Sequence, residues 1–372
     1  MSSLPKPNVP MAGFQPDPSA DPTLVCVADY EKAAAAKIAA GPLAYYSGGA
    51  NDERTLQDNL AAFRRRWLLP RAMRGTSVVD LSTTVLGRRW PAPVFICPTA
   101  LQRMAHPHGE LASARAAAAR GITFTLSTSA STDMADVAKV EGPRWYQVYL
   151  LADEGARRAM VERAVALGYE AFVLTVDLQR LGRRERDIRV GFSIPPGVHL
   201  PNIAAAAGVP PEEAPNVPFV AALTWADLEW LAKLGKPVIV KGILRPDDAR
   251  AAIDHGAAAI EVSNHGGRQL DGAIASIDAL PAIADAVQGR VPLLLDGGVR
   301  RGTDVLIGLA LGATAVGVGR PVIWGLAVNG EAGVGRVLDL LVTELDSAMA
   351  LSGCASVGEV TRDLVSQAAP YP

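Results

Sequence analysis

Eight short runs of apolar and β-branched residues recur along the chain from residue 93 onwards, and Ala-rich stretches separate them. The runs cover residues 93–98, 122–127, 145–150, 171–177, 237–242, 258–263, 291–296 and 315–319. Helical patterns between them cover residues 109–120, 154–167, 246–254, 276–287 and 302–311. Because the runs are apolar almost throughout, they indicate parallel strands that are buried on both faces. Eight strand–helix units of this kind predict an α/β protein whose strands close into a (β/α)8 TIM barrel.

The length of the chain predicts one domain with additions at its edges. A barrel takes about 250 residues, whereas the chain has 372. We expect a disordered tail over residues 1–23, which are rich in Pro, Ser and Asp, and a single domain over residues 24–372 that begins with a helical segment. The connection after the fourth strand, residues 178–222, is longer than an ordinary barrel loop, and we interpret it as a lid over the top of the barrel.

The composition argues against several classes of partner. Acidic and basic residues nearly balance, with 36 Lys and Arg against 38 Asp and Glu, so we expect no nucleic acid and no membrane partner. No apolar stretch reaches the ~18 residues of a membrane span, and three widely spaced cysteines fit a reduced, cytoplasmic setting. His106 and His108 resemble a metal-binding pair, but no third ligand is evident, and we predict no metal site. We interpret the basic run at 64–66 as a solvated helix face.

The sixth apolar run is followed directly by Ser-Asn-His-Gly-Gly-Arg-Gln-Leu-Asp-Gly, residues 263–272. His265 and Arg268 therefore both follow the end of a buried strand, with two glycines between them. A histidine can take a proton near neutral pH, and the planar fork of an arginine grips a carboxylate with two hydrogen bonds. Together they predict proton abstraction next to a carboxylate. The alternative is a loop with an incidental basic pair.

Polar residues also follow most of the other predicted strands. In TIM barrels the chemistry gathers at the carboxyl ends of the strands. The residues at these positions, in chain order, are Thr99, Ser127, Gln147, Tyr149, Thr175, Asp177, Lys241, His265 and Arg300. The pattern predicts one functional site at that end of the barrel.

The seventh and eighth strands indicate an anion site. Asp-Gly-Gly-Val-Arg at 296–300 and Gly-Val-Gly-Arg-Pro at 317–321 each combine glycines with an arginine, and a helix follows. Backbone N–H groups of glycines, a helix N-terminus and two arginines suit a phosphate, which TIM barrels often hold at this position. The alternative is that the glycines only permit tight turns. Neither segment has the spacing of a dinucleotide fingerprint, so NAD is not predicted.

Eight sequence blocks resemble, in the same order, those of the FMN-dependent 2-hydroxy acid oxidases and dehydrogenases. The resemblance covers residues 24–362 and is carried by Tyr-Tyr-Ser-Gly-Gly-Ala at 45–50, Pro-Thr-Ala at 98–100, Gln-Val-Tyr at 147–149, Leu-Thr-Val-Asp at 174–177, Leu-Gly-Arg-Arg at 181–184, Val-Lys-Gly at 240–242, the segment 263–272 and Asp-Gly-Gly-Val-Arg at 296–300. It implies FMN as cofactor, a small 2-hydroxy acid as substrate, oxygen or another electron acceptor, and a homotetramer.

The resemblance also implies which residues hold the cofactor. They are Pro98, Thr99, Ala100, Ser127, Gln147, Thr175, Lys241, Ser263, Asp296, Gly297, Gly298, Arg300, Gly319 and Arg320. Lys241 is expected at the N1–C2 carbonyl edge of the flavin, where a cation stabilises the reduced ring. The alternative for Lys241 is an ion pair with a buried carboxylate such as Asp296.

For catalysis the resemblance implies His265 as base, Asp177 as its partner, and Tyr149 beside the substrate hydroxyl. Arg268, Arg184 and Tyr45 are expected to bind the substrate carboxylate. The expected reaction is oxidation of an (S)-2-hydroxy acid to a 2-oxo acid. A non-redox barrel that binds a phosphorylated ligand, with Lys241 as a Schiff-base lysine, is the alternative from another class.

The chain departs from glycolate oxidases at Ser129, where those enzymes carry a Trp. A smaller residue at this position opens space for medium-sized or aromatic substrate side chains, such as those of mandelate-like acids. The alternative is that Ser129 only caps the turn that follows it.

Overall fold

A computed structural model describes residues 23–366, so the tail expected over residues 1–23 lies outside the described part apart from Thr23. The strands are β1 (Trp67–Leu68), β2 (Thr83–Val85), β3 (Arg88–Trp90), β4 (Val94–Ile96), β5 (Thr123–Leu126), β6 (Arg144–Val148), β7 (Phe172–Thr175), β8 (Val238–Ile243), β9 (Ala259–Val262), β10 (Leu293–Leu295), β11 (Ala315–Val318) and β12 (Val365–Ser366). Strands β4 to β11 form a closed, all-parallel barrel in which β4 pairs with β11. The predicted (β/α)8 TIM barrel is confirmed.

The helices alternate with the barrel strands and surround them. They are α1 (Val27–Ala35), α2 (Ala40–Ser47), α3 (Arg54–Arg64), α4 (Gly109–Ala118), α5 (Met134–Ala138), α6 (Glu154–Ala166), α7 (Glu185–Arg189), α8 (Pro201–Ala207), α9 (Trp225–Ala232), α10 (Pro246–Asp254), α11 (Ser276–Val287), α12 (Gly302–Ala310) and α13 (Arg320–Leu351). Their apolar residues pack on the outer faces of the strands and make up the larger core. Helices α1 to α3 form the expected N-terminal helical segment.

The inside of the barrel is built in layers, because alternate residues of each strand point inward. Near the amino ends of the strands, Trp90, Phe95 and Trp145 pack together with ring centroids 5.4–6.2 Å apart. Above them, Gly317 leaves room that no larger residue could: a Cβ there would lie 2.4 Å from Cys97 Sγ and 2.6 Å from Phe95 Cζ. The aromatic layer closes the bottom of the barrel, so a ligand can enter only from the other end.

The segment 178–222 is not simply a loop, because it contains helices α7 and α8. Helix α8 begins with Pro201 at its first turn and ends at Gly208, whose φ of 66° suits glycine. The Asn202 side chain accepts from Met134 N at 2.8 Å and donates to Thr132 O at 3.0 Å, which fixes α8 to the barrel. The four alanines at 204–207 are typical of a helix, but the prolines on both sides of them favour the prediction of a loop.

The interpretation of residues 64–66 as a solvated helix face is wrong for Arg66. Its side chain is only 2% exposed and forms an ion pair with Asp278 of α11. Helix α3 ends at Arg64, so Arg66 lies beyond it, where the chain turns towards α11 and its side chain also donates to the carbonyl oxygens of Ala62 and Ile277. No helix within residues 23–366 is both long enough and apolar enough to cross a membrane.

Candidate active site

A cavity of about 270 Å³ opens at the carboxyl ends of the barrel strands. All the predicted site residues line it except Asp177 and Ser263, which lie directly behind the lining residues. The predicted residues on its wall are Tyr45, Pro98, Thr99, Ala100, Ser127, Ser129, Gln147, Tyr149, Thr175, Arg184, Lys241, His265, Arg268, Asp296, Gly297, Gly298, Arg300, Gly319 and Arg320. The fold therefore brings together residues from every barrel strand end at a single place.

His265 is held at the cavity wall by its backbone and its ring. It lies in a short 3₁₀ turn after β9 with a φ of 59°, a left-handed conformation that is unusual for a residue other than glycine. Its Nδ1 lies 2.9 Å from Asp177 Oδ1. Burial lowers the pKa of His265 below its usual value, although Asp177 opposes that shift. The imidazole is therefore a free base near neutral pH and can accept a proton.

Two arginines lie beside this base. Arg268 Nη1 donates to the carbonyl oxygens of Tyr45 and Gly48, and its guanidinium lies 4.8 Å from the centre of the Tyr45 ring. Arg184 approaches the same ring at 5.8 Å, and its buried Nε has no hydrogen-bond partner among the described residues. Burial, followed by the charge of Arg184, lowers the pKa of Arg268 to about 10. Two buried like charges with an unused donor form a site for an anion.

Lys241 lies on β8, between the strands that precede Asp177 and His265, within a group of carboxylates. Its Nζ donates to Asp296 Oδ2 at 2.7 Å and to Ser263 Oγ, and it lies 3.6 Å from Glu261 Oε1. An ion pair with Asp296 and a contact with a ligand in the cavity are therefore compatible, because Lys241 pairs with buried Asp296 and also faces the cavity. Burial opposes protonation, but the charges of Asp296 and Glu261 raise the pKa of Lys241 well above its usual value. A lysine that stays protonated is a poor Schiff-base nucleophile.

Gln147 is oriented by a fixed network. Its Oε1 accepts from Ser127 Oγ at 3.2 Å and from Thr128 N at 3.1 Å, and its Nε2 donates to Thr175 Oγ1 at 3.1 Å. All four residues are buried. These bonds determine which end of the amide carries the donor, so a flat polar ligand would meet a defined pattern of donors and acceptors here.

Arg300 and Arg320 place two further positive charges at the end of the cavity beside β10 and β11. Arg320 donates to Tyr46 O at 2.8 Å, to Gly266 O at 2.9 Å and to Gly48 O at 2.9 Å. Burial lowers the pKa of Arg300. Burial, together with the charges of Arg268 and Arg300, lowers the pKa of Arg320 well below its usual value. An anion bound at this end would relieve that repulsion.

The glycines at the same end bring the backbone close to the cavity. Gly297 and Gly298 have φ values of 97° and 87°, which favour glycine, and a Cβ on Gly298 would lie 2.1 Å from Asn59 O. Gly319 precedes α13, which is interrupted at Asn329 and Gly330, and the N-terminus of its first part, residues 320–328, points at the cavity. Glycines, two arginines and a helix N-terminus together match the chemistry of a phosphate group.

Sequence reasoning missed several residues of the cavity wall. Tyr46, Cys97, Leu178 and Phe219 contribute to it. Cys97 could have been found, since alternation along the first barrel strand places it inside with Thr99. Leu178 and Phe219 come from the segment 178–222, where single apolar residues follow no periodic pattern.

Comparison with known proteins agrees with this geometry. The chain matches the model of the FMN-dependent dehydrogenase family over residues 34–367 and belongs to that family. An L-lactate oxidase from Nostoc sp. is 49% identical over 347 residues, covering 89% of this chain and 95% of the relative. Human 2-hydroxyacid oxidase 1 is 46% identical over 358 residues, covering 92% and 97%. The crystal structure of mandelate oxidase with (S)-2-phenylpropionate superposes with a TM-score of 0.85 at 42% identity, covering 91% of this chain and 97% of that one. The chain is thus an FMN-dependent enzyme of the 2-hydroxy acid oxidase group.

The cavity residues fit FMN. Arg300, Arg320 and the N-terminus of α13 would hold its phosphate, because they form the anion site just described. Lys241 and Gln147 would face the ring, since they provide a buried cation and an oriented amide on one wall. FMN dependence removes the basis for the non-redox alternative.

Proposed function

We propose that the chain oxidises (S)-2-hydroxy acids with medium-sized or aromatic side chains to 2-oxo acids, and that oxygen accepts the electrons. The observation that carries the proposal is the His265–Asp177 pair beside two buried arginines on one cavity wall. A base next to an anion site matches a substrate whose reacting carbon carries a carboxylate. The names of the relatives, L-lactate oxidase and 2-hydroxyacid oxidase 1, support the substrate class and oxygen as acceptor.

The two arginines bind and orient the substrate carboxylate. Arg268 is fixed by backbone carbonyls, so its position does not depend on the substrate. Arg184 keeps an unused Nε that a carboxylate oxygen can accept from. The Tyr45 ring lies against both guanidinium groups, 4.8 Å from that of Arg268 and 5.8 Å from that of Arg184. The carboxylate thereby sets which face of the reacting carbon meets the base.

His265 removes a proton from the bound acid. Its Nδ1–H donates to Asp177, which leaves Nε2 with the lone pair that accepts the proton and stabilises the imidazolium that results. Tyr149 is half-buried and lines the same cavity, and burial raises the pKa of its phenol, so the hydroxyl keeps its proton and can donate to the substrate oxygen. FMN, when bound, supplies the two-electron acceptor, and oxygen would then be reduced to hydrogen peroxide.

The preference for larger side chains rests on the wall around Ser129. Ser129 is half-buried and lines the cavity, and within residues 23–366 its hydroxyl makes no hydrogen bond, so it caps no turn there. Leu178, Leu181 and Phe219 add apolar surface to the same cavity. Burial of part of a phenyl ring stabilises binding by ~1–3 kcal/mol, a factor of roughly 10 to 200. The mandelate oxidase structure, with its bound (S)-2-phenylpropionate, is a neighbour consistent with this preference.

Substrate profiling with a matched variant tests the proposal. We expect kcat/KM for (S)-mandelate or a medium-chain (S)-2-hydroxy acid to exceed that for glycolate in the wild type. Ser129→Trp should reverse the order by filling the space, whereas Ser129→Ala, the control, should keep it. A wild-type enzyme that prefers glycolate to every larger acid would refute the size preference while leaving the reaction class intact.

Oxygen as acceptor needs its own measurement. Stopped-flow mixing of the reduced enzyme with oxygen should give rapid reoxidation of the flavin. Slow reoxidation would instead identify a dehydrogenase that uses another acceptor. We further propose a cytoplasmic homotetramer with residues 178–222 as a lid, and light scattering that shows a monomer at micromolar concentration would refute the tetramer.

A further inference from the structure

Glu261 is a charged residue at an unexpected position, inside the barrel. It belongs to β9, where alternation points it inward between Ala259 and Ser263, and its side chain is fully buried. Its nearest cation is Lys241, with 3.6 Å between Nζ and Oε1. Neither carboxyl oxygen accepts a hydrogen bond from any donor in the described part of the chain. A carboxylate in this setting lacks what an ionised group needs when it is buried.

Another buried glutamate in the same protein shows the contrast. Glu110 is equally inaccessible, but its oxygens accept from Gln102 N at 3.0 Å, from Ser131 N at 2.8 Å and from Thr132 Oγ1 at 2.7 Å, with further bonds from the Ser131 hydroxyl. Donors of this number keep a buried carboxylate ionised. Glu261 has none of them, so the two glutamates are expected to differ in protonation.

The charges around Glu261 lead to the same conclusion. The titratable groups that face it are Lys241 of β8, Asp296 at the end of β10, and Cys97 after β4. We call Glu261 and these three residues the buried charge cluster. Two carboxylates face one ammonium, and Asp296 Oδ1 is buried without a donor as well. One proton on Glu261, shared with Asp296 Oδ1, would remove the excess negative charge and give Asp296 Oδ1 a donor.

The structure favours Glu261 as the holder of that proton. Asp296 is bonded to the Lys241 ammonium at 2.7 Å, and Lys241 lowers the pKa of Asp296 although burial opposes the shift. Burial raises the pKa of Glu261 to about 8, against the weaker attraction of more distant Lys241. Lys241 also argues against a metal ion between Cys97, Glu261 and Asp296, because its ammonium already provides the positive charge there.

We propose that Glu261 is a positioning residue that keeps one proton in the buried charge cluster and, through a hydrogen bond to Asp296 Oδ1, holds the Asp296–Lys241 pair at the cavity wall. Glu261 would thus act from inside the barrel, through Asp296, on Lys241, which would face the flavin. It depends on FMN family membership and not on which 2-hydroxy acid is oxidised. Loss of the proton would leave net negative charge beneath the cavity, which disfavours additional electrons there.

Infrared difference spectroscopy detects the proton directly. The cofactor-free wild type at neutral pH should show the carbonyl stretch of one protonated carboxyl group, which Glu261→Gln should lack. Glu110→Gln is the matched control, because that carboxylate is equally buried but ionised, and the band should remain. In the wild type the band should disappear as the pH rises through about 8. A band that survives in Glu261→Gln, or a wild type without any band, would overturn the proposal.

The midpoint potential of the flavin in the holoenzyme gives a second readout. In the wild type its pH dependence should change slope near pH 8, where Glu261 loses its proton. In Glu261→Gln the slope change should be absent, because the amide does not titrate, while the affinity for FMN should stay within about twofold of the wild type. The same slope change in both proteins would assign it to another group and refute the role of Glu261.

Discussion

Gly317 and Gly319 lie two residues apart at the end of β11. An alanine substitution should lower the stability of the protein at Gly317 but its affinity for FMN at Gly319. A Cβ on Gly317 would lie 2.4 Å from Cys97 Sγ and 2.6 Å from Phe95 Cζ, both inside the packed barrel. A Cβ on Gly319 would have no neighbour closer than Thr99 Oγ1, at 3.7 Å. Both glycines line the cavity, but a Cβ on Gly317 would enter packed side chains, whereas one on Gly319 would stand in open space. Gly317 thus serves packing, and Gly319 leaves room for the ligand at the proposed phosphate end.

The magnitudes follow from these distances. Gly317→Ala forces buried atoms apart, and such overpacking lowers the free energy of unfolding by about 1–3 kcal/mol. Gly319→Ala clashes with nothing, so its effect on the free energy of unfolding should stay within about 0.5 kcal/mol. Its methyl group would occupy space needed for close approach of the FMN phosphate to the backbone. We expect the dissociation constant for FMN to rise at least about tenfold, equivalent to ~1.4 kcal/mol.

Two measurements on the cofactor-free protein separate the effects. Urea unfolding followed by tryptophan fluorescence should report a loss of stability for Gly317→Ala alone. Titration with FMN, followed by quenching of flavin fluorescence, should report weaker binding for Gly319→Ala alone. A fully stable Gly317→Ala would show that the barrel interior relaxes around an added methyl group. Wild-type FMN affinity in Gly319→Ala would place the phosphate elsewhere.

Three further predictions concern the catalytic wall. Replacement of His265 by Gln should leave FMN bound but abolish reduction of the flavin by substrate, and rapid bleaching in anaerobic mixing would exclude His265 as the base. Burial lowers the pKa of His265 from its usual 6.5, so His265 is protonated only at lower pH and kcat/KM should fall only below about pH 6.5. Asp177→Asn removes the charge that opposes this shift and should move the fall of kcat/KM to still lower pH. Arg268→Lys keeps the charge but loses the fork, so KM for the substrate should rise by roughly tenfold or more, whereas an unchanged KM would remove Arg268 from the carboxylate site.

The barrel could be predicted because each strand carries its signal locally. Runs such as 171–177 are apolar in their first four residues and polar near their ends, at Thr175 and Asp177. This combination predicts both the strand and the end at which its functional groups lie. His265 and Asp177 are far apart in sequence, yet both follow barrel strands, so the fold alone implies that they lie at one end. The resemblance implies that Asp177 pairs with His265, but the geometry of their hydrogen bond depends on the left-handed backbone at His265, which residue types alone do not give.

What could not be predicted depends on three-dimensional neighbours. Arg66 looks like its neighbours in the sequence, but Asp278 of α11 draws it into the protein. Glu261 is the one charged residue within the apolar run 258–263, and its significance arises only from Lys241 and Asp296 on other strands. The apolar wall that includes Leu178 and Phe219 comes from an irregular segment, where residue type carries no information about direction.

The contacts of Arg320 have a consequence for how the enzyme is made on the ribosome. Its side chain bonds to Tyr46 O and Gly48 O near the start of the chain and to Gly266 O beside the base. The barrel itself closes only when β11 pairs with β4. Most of the polypeptide must therefore emerge before the early helices, the histidine turn and the phosphate end can be locked together. A nascent chain that stops short of residue 320 has all of its proton-transfer groups but no fixed arrangement of them, so catalytic competence is acquired near the end of synthesis.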